Sequence, residues 1–179
     1  MVMLLEGRLL TLQTRSSHET AELGRVIGER LKGGEIVLLE GPLGAGKTTM
    51  VQGIARGLGV EKPVSSPSFV LEKIYEGRSP LHHFDFYRLD LEDIEESGFL
   101  YDLDPEAVIV IEWADRLGGM LSDWTLRISI DFVSPSVHRG CFERAELRNV
   151  KIRVKDEGMA NGIEQFIQRG KADGGKTGK

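Results

Sequence analysis

The segment Gly41-Pro42-Leu43-Gly44-Ala45-Gly46-Lys47-Thr48 stands between an apolar run, Glu35 to Glu40, and a stretch from Thr48 to Leu58 that reads as a helix. Glycines at 41, 44 and 46 permit a tight loop whose backbone N–H groups face an anion-sized concavity. The helix start adds further donors and a favourable dipole. Lys47 then brings positive charge to the β- and γ-phosphates of a nucleotide, and the Thr48 hydroxyl is placed for Mg²⁺. A glycine turn used only for close packing would account for Gly44 and Gly46 but not for Lys47-Thr48. The pattern predicts an α/β chain of P-loop NTPase-like, three-layer architecture, with a central mostly parallel sheet and added antiparallel strands.

At 179 residues the chain fits one domain with an appendage. Residues 1–155 read as the nucleotide-binding domain and 156–179 as a C-terminal extension, a short helix through about Ile167 followed by a disordered Gly/Lys tail. The net charge of -5 comes from interspersed groups, which argues against broad nonspecific DNA binding. Cys141 is the single cysteine, so the chain has no internal disulfide or thiolate cluster and suits a reducing, cytoplasmic setting. Charge interrupts the first residues before they form a secretory core, and no later segment is long enough to cross a bilayer, so no membrane association is expected.

Leu9 to Gln13 suggests an edge strand, and Ser16 to Glu19 has capping-box spacing before a stripe of Leu23, Val26, Ile27 and Leu31 that Gly33-Gly34 should end. Extended segments follow at Phe69–Tyr75 and from Leu81 to Tyr87, with a turn around Gly77 and a short acidic helix from Leu89 to Ser97. Ala107 to Ile111 is short, apolar and β-branched, the mark of a buried strand. Its carboxyl end carries Glu112 and Trp113 to the edge where open α/β sheets bind ligands. Trp124 to Phe132 and about Cys141 to Val154 alternate as half-buried strands. The short Ser/Pro/Gly connection makes them look like antiparallel additions.

Hydrolysis needs a metal anchor and a means of orienting water. Glu112 is placed to bind Mg²⁺ directly or through water, and Asp85, just before Arg88, is a second candidate; either acid alone also suits a surface or structural role. Ser65, Ser66 and Ser68 around Pro67 form a loop able to sense a γ-phosphate, though a plain Ser/Pro connection would look the same. Arg88 could meet phosphate or brace Asp85, and Trp113 could stack on a ligand or belong to the core. His82 and His83 point to opposite faces of a strand and have no suitably spaced partner, so they do not form a metal pair. Gly-x-Ser-x-Gly is absent, which disfavours a serine hydrolase, and so is the Asn-Lys-x-Asp of guanine recognition.

Four motifs in order resemble the bacterial TsaE family: Gly41 to Thr49, Val64-Ser65-Ser66-Pro67-Ser68-Phe69, His83-Phe84-Asp85-Phe86-Tyr87-Arg88 and Ile111-Glu112-Trp113. The resemblance spans roughly Ser17 to Val154. Ser68 stands where the family often has threonine, keeping a hydroxyl and losing a methyl group. It implies a small ATPase required for threonylcarbamoyl modification of tRNA adenosine, with ATP held by Gly41, Pro42, Leu43, Gly44, Ala45, Gly46, Lys47, Thr48 and Thr49 and bordered by Ser17. It also implies Mg²⁺ at Thr48 and Glu112, with Asp85 important for hydrolysis. In such proteins turnover supports a complex with TsaD and TsaB, where TsaD performs the transfer to tRNA. Ser66, Ser68, Arg88 and Trp113 are then candidates for passing nucleotide state to a partner. A small-molecule kinase and a nonhydrolytic ATP-dependent assembly module are the competing readings; no arginine-rich lid or acceptor domain is evident for the first.

Overall fold

The computed structural model describes residues 7–68, 70–133 and 147–174, with residues 170–174 described for the backbone only. Its strands are β1 (Arg8–Thr14), β2 (Ile36–Glu40), β3 (Glu72–Tyr75), β4 (Leu81–Asp85), β5 (Val108–Glu112), β6 (Leu126–Phe132) and β7 (Arg148–Val154). They form a seven-stranded sheet in the order β1-β7-β6-β2-β5-β4-β3. The inner strands β6, β2, β5 and β4 are mutually parallel, whereas β7 and β1 add antiparallel at one edge and β3 at the other. Every residue of β5 is buried, as an apolar strand covered on both faces requires.

Alternation along β2 sends Val37 and Leu39 into one core and Leu38 into the other. The first core is roofed by α1 (Ser17–Gly28), α2 (Lys47–Gly57) and α4 (Glu157–Gly174). The second lies under α3 (Leu91–Ser97) and the 3-10 turns Phe99–Tyr101 and Ala114–Leu117, where the rings of Phe84, Phe86 and Phe99 meet. No helix among the described residues is long and apolar enough to cross a membrane.

Four expectations change, three of them in the sheet and at the C-terminus and one at the end of α1. The alternating segment from Trp124 to Phe132 suggests an antiparallel addition, but β6, formed by Leu126–Phe132, pairs parallel with β2. Residues 113–125 span the crossover with a 3-10 turn in place of a full helix, and about a dozen residues are enough. The extended pattern proposed from Cys141 is observed from Arg148; residues 141–146 lie outside the described residues. Finally, α4 continues past Ile167 to Gly174, its Met159, Ala160 and Ile163 packed into the first core; residues 175–179 lie outside the description.

Helix α1 begins as its capping sequence predicts, with the Ser16 side chain accepting from the Glu19 N–H at 3.1 Å; Glu19 reaches back to the Arg15 N–H rather than to that of Ser16. It stops at Gly28, before Gly33-Gly34, because the chain tightens into i to i+3 bonds, Arg30 N–H to Ile27 and Leu31 N–H to Gly28. Arg78 takes the carbonyls left at two helix ends, bonding Gly28 and Leu31 of the α1 exit at 2.8 and 2.7 Å and Gly57 of α2 at 2.9 Å. A cation is favoured there by both macrodipoles. Arg78→Ala should therefore lower unfolding free energy by about 1–3 kcal/mol, read by urea denaturation; a change within about 0.3 kcal/mol would remove this role.

Candidate nucleotide-phosphate site

The loop between β2 and α2 closes tightly at Gly41, where φ is 136° and an added Cβ would sit 2.1 Å from the Ile130 carbonyl oxygen. No L side chain suits that position. The loop delivers the start of α2 without a side-chain cap and without an acid in the first turn. The free N–H groups and the positive dipole end thus remain available to an anion.

Lys47, only 4% exposed, points back into the loop and donates to the carbonyls of Gly41 at 2.6 Å and Pro42 at 2.9 Å. The face of Trp113 covers its ammonium at 3.8 Å from the ring centroid. Burial lowers the Lys47 pKa from its ordinary value, and the nearby charges of Glu112, Asp115 and Asp85 oppose that shift. Trp113 is held at φ 60°, the one non-glycine residue with positive φ among the described residues, and packs against Tyr87 at 4.8 Å.

Asp85 and Glu112 are register partners at the carboxyl ends of β4 and β5, yet they serve different neighbours. Glu112, 2% exposed, accepts from the Thr48 hydroxyl at 3.0 Å on Oε2 and meets His83 Nε2 at 2.9 Å on Oε1. Asp85, 6% exposed, accepts from the Ser66 and Ser68 hydroxyls on Oδ2 and from the Tyr87 N–H at 2.9 Å on Oδ1. The serine loop is itself pinned. Lys73 Nζ donates to Ser65 Oγ and the Ser66 carbonyl, Tyr75 donates to the Ser65 carbonyl, and Gln52 of α2 donates to the Val64 carbonyl.

Lys47, Thr48, Ser66, Ser68, Asp85 and Glu112 border an open cleft of about 260 Å³, also lined by Leu43, Gly44 and Thr49. Ser17 is exposed on the first turn of α1 and does not line it; Thr20, farther along that helix, is the residue beside Gly46. Arg88 is exposed beyond β4 and is likewise outside the lining. Sequence reasoning missed the pinning groups Lys73, Tyr75 and Gln52, and gave His83 a place in a motif but no role in the site. For His83 a signal was present, since strand alternation puts it on the face of Asp85.

Magnesium suits the donor set. Thr48 and Glu112 offer hard oxygens, and the described residues hold no cluster of three or more His, Cys, Asp or Glu side chains that could cage a metal. A cation there would complete its shell with phosphate oxygens and water, the habit of Mg²⁺. A second hollow of about 520 Å³ opens at the amino ends of β2 and β6, but the side chains of Glu35, Arg30 and Asp156 that line it are engaged with backbone groups. Glu35 accepts from the N–H groups of Lys32 and Gly33, Arg30 donates to backbone carbonyls, and Asp156 caps α4.

Comparison with known proteins gives a consistent picture. The family model described as threonylcarbamoyl adenosine biosynthesis protein TsaE matches residues 14–139. A Treponema pallidum protein named tRNA threonylcarbamoyladenosine biosynthesis protein TsaE is 42% identical over 118 residues, 65% of this chain and 87% of that protein. A Mycobacterium tuberculosis protein of the same name is 39% identical over 130 residues, 66% of this chain and 76% of its own. The crystal structure of Bacillus subtilis YdiB superposes with a TM-score of 0.68 at 26% identity, covering 89% of this chain and 97% of that one.

Proposed function

The chain belongs to the TsaE family, and we propose that it is an Mg²⁺-dependent ATPase that supports the turnover of a TsaD–TsaB complex in threonylcarbamoyl modification of tRNA adenosine. The observation that carries the reading is the convergence of an uncapped helix start, the buried ammonium of Lys47 and the Thr48–Glu112 pair on one cleft. Backbone N–H groups of Gly44, Gly46, Lys47, Thr48 and Thr49 and the Lys47 ammonium hold the phosphates. Because the Thr48 hydroxyl spends its hydrogen on Glu112, its lone pairs stay free for the metal, and Glu112 acts directly or through bound water. When bound, Mg²⁺ neutralises charge on the β- and γ-phosphates.

Asp85, whose bonds go to the serine loop and Tyr87, serves turnover by orienting water together with Ser66 and Ser68 and not by holding the metal. Trp113 and Arg88 relay nucleotide state to the partner proteins, through which the chain meets tRNA in the cytoplasm. A nonhydrolytic ATP-dependent assembly module is the second reading, favoured by one fact: Asp85 already accepts three hydrogen bonds.

Phosphate release from ATP, measured with and without TsaD–TsaB, separates the two. Wild-type protein should release phosphate only with Mg²⁺, and Glu112→Gln should release it roughly 100-fold more slowly while binding ADP in EDTA within about threefold of wild type. Tight Mg²⁺–ATP binding without release in either setting would favour the assembly module. No binding of any nucleoside triphosphate would overturn both.

A further inference from the structure

His83 is fully buried, at 0% exposure, and its ring meets the acid of the phosphate site. Its Nε2 lies 2.9 Å from Glu112 Oε1, while Glu112 Oε2 accepts from Thr48. Its Nδ1 is buried and has no hydrogen-bond partner among the described residues. A buried N–H without an acceptor is a costly arrangement, so the ring hydrogen belongs on Nε2. A carboxylate only accepts, and the bond therefore runs from His83 to Glu112. Glu112 is thus tethered at both oxygens, by a strand neighbour behind it and by the first turn of α2 in front.

We infer that His83 is a positioning residue: by donating from Nε2 to Glu112 it fixes the carboxylate in the rotamer that presents Oε2 to Thr48 and to a divalent cation. Without it, a side chain with several rotatable bonds would have one anchor, the Thr48 hydroxyl. That hydroxyl would then no longer be aimed from a fixed point. Groups placed behind metal-site ligands in this way commonly change metal affinity by about 10–100-fold. The inference rests on the reading of Thr48–Glu112 as a cation site.

The test is an Mg²⁺ titration of ADP binding by isothermal calorimetry on the full chain. His83→Leu keeps an apolar filling of similar bulk and removes the donor; it should raise the Mg²⁺ concentration for half-saturation about tenfold and leave ADP affinity in EDTA within about twofold. His83→Gln places an amide N–H near the position of Nε2 and should return the Mg²⁺ requirement to within about threefold of wild type. An unchanged requirement in His83→Leu, an equal loss of affinity in EDTA, or no recovery in His83→Gln would overturn the inference.

Should His83→Leu fail to fold, ¹⁵N spectra of the wild-type ring decide: hydrogen on Nε2, with a resonance that shifts on adding Mg²⁺ and ADP, supports the inference, and hydrogen on Nδ1 overturns it. A wild-type protein whose ADP binding ignores Mg²⁺ would overturn the cation-site reading and this inference together. An Mg²⁺-dependent wild type matched by His83→Leu would remove only the role of His83.

Discussion

Lys47→Ala is expected to weaken ATP binding by roughly 100-fold, about 3 kcal/mol, while changing unfolding free energy by no more than about 1 kcal/mol. On the proposed reading the ammonium serves a ligand and not the fold, so the two effects separate. It is almost fully buried against two neutral carbonyls and an indole face, and no carboxylate among the described residues accepts a hydrogen bond from it. Burial of the charge costs stability, as its lowered pKa records. Removing it relieves that cost, which offsets the lost contacts of its methylenes.

The same shift gives opposite pH signs for stability and binding. Below the folded pKa, Lys47 is charged in both folded and unfolded chains, and the folded protein carries the full desolvation cost. As pH rises from the lowered folded value toward the ordinary 10.5, that cost is relieved, so wild type should gain stability relative to Lys47→Ala. Over the same window ATP affinity should fall in wild type and stay flat in Lys47→Ala. Calorimetric titration and urea unfolding across alkaline pH measure both. Parallel pH profiles for the two proteins would mean that Lys47 does not hold phosphate.

Gly53→Ala should destabilise the protein by about 3 kcal/mol, even though alanine is the better helix former by about 1 kcal/mol. A Cβ at Gly53 would lie 2.0 Å from the Ala21 carbonyl oxygen and 2.9 Å from the Gly24 Cα. The contact is mutual: a Cβ at Gly28 of α1 would meet the Ile54 carbonyl oxygen at 2.1 Å. Backbone touches backbone here, so no side chain can rotate away and the helices must separate. Because α2 begins at Lys47, separation also moves the phosphate loop, and ATP affinity should fall with stability. Urea denaturation and ATP titration on the same preparation check both; a Gly53→Ala protein as stable as wild type would show that α1 and α2 tolerate a wider spacing.

The parts of the fold that were legible are those whose signal is local. The apolar run of β2, the glycine loop and the start of α2 are contiguous, and β5 declares itself by five buried apolar or terminal acidic positions in a row. Strand β6 was misassigned because its direction is set by the partner it finds. Its alternating pattern fits parallel and antiparallel pairing equally, and the crossover has no full helix to betray it. The glycine spacings 24/28 and 53/57 are visible in the chain, but which helix faces meet is not.

The residues themselves determined a glycine-rich loop between a strand of the parallel part of the sheet and a helix, its lysine and hydroxyl, and two acids at strand ends, because a strand, a tight turn and a helix start are fixed by neighbours in sequence. Only the tertiary structure decided how the two acids divide: Glu112 with Thr48 and His83, Asp85 with Ser66, Ser68 and Tyr87. The physical reason is that a hydrogen bond is settled within about 3 Å, a distance that strand register and helix packing set and that spacing along a chain does not encode.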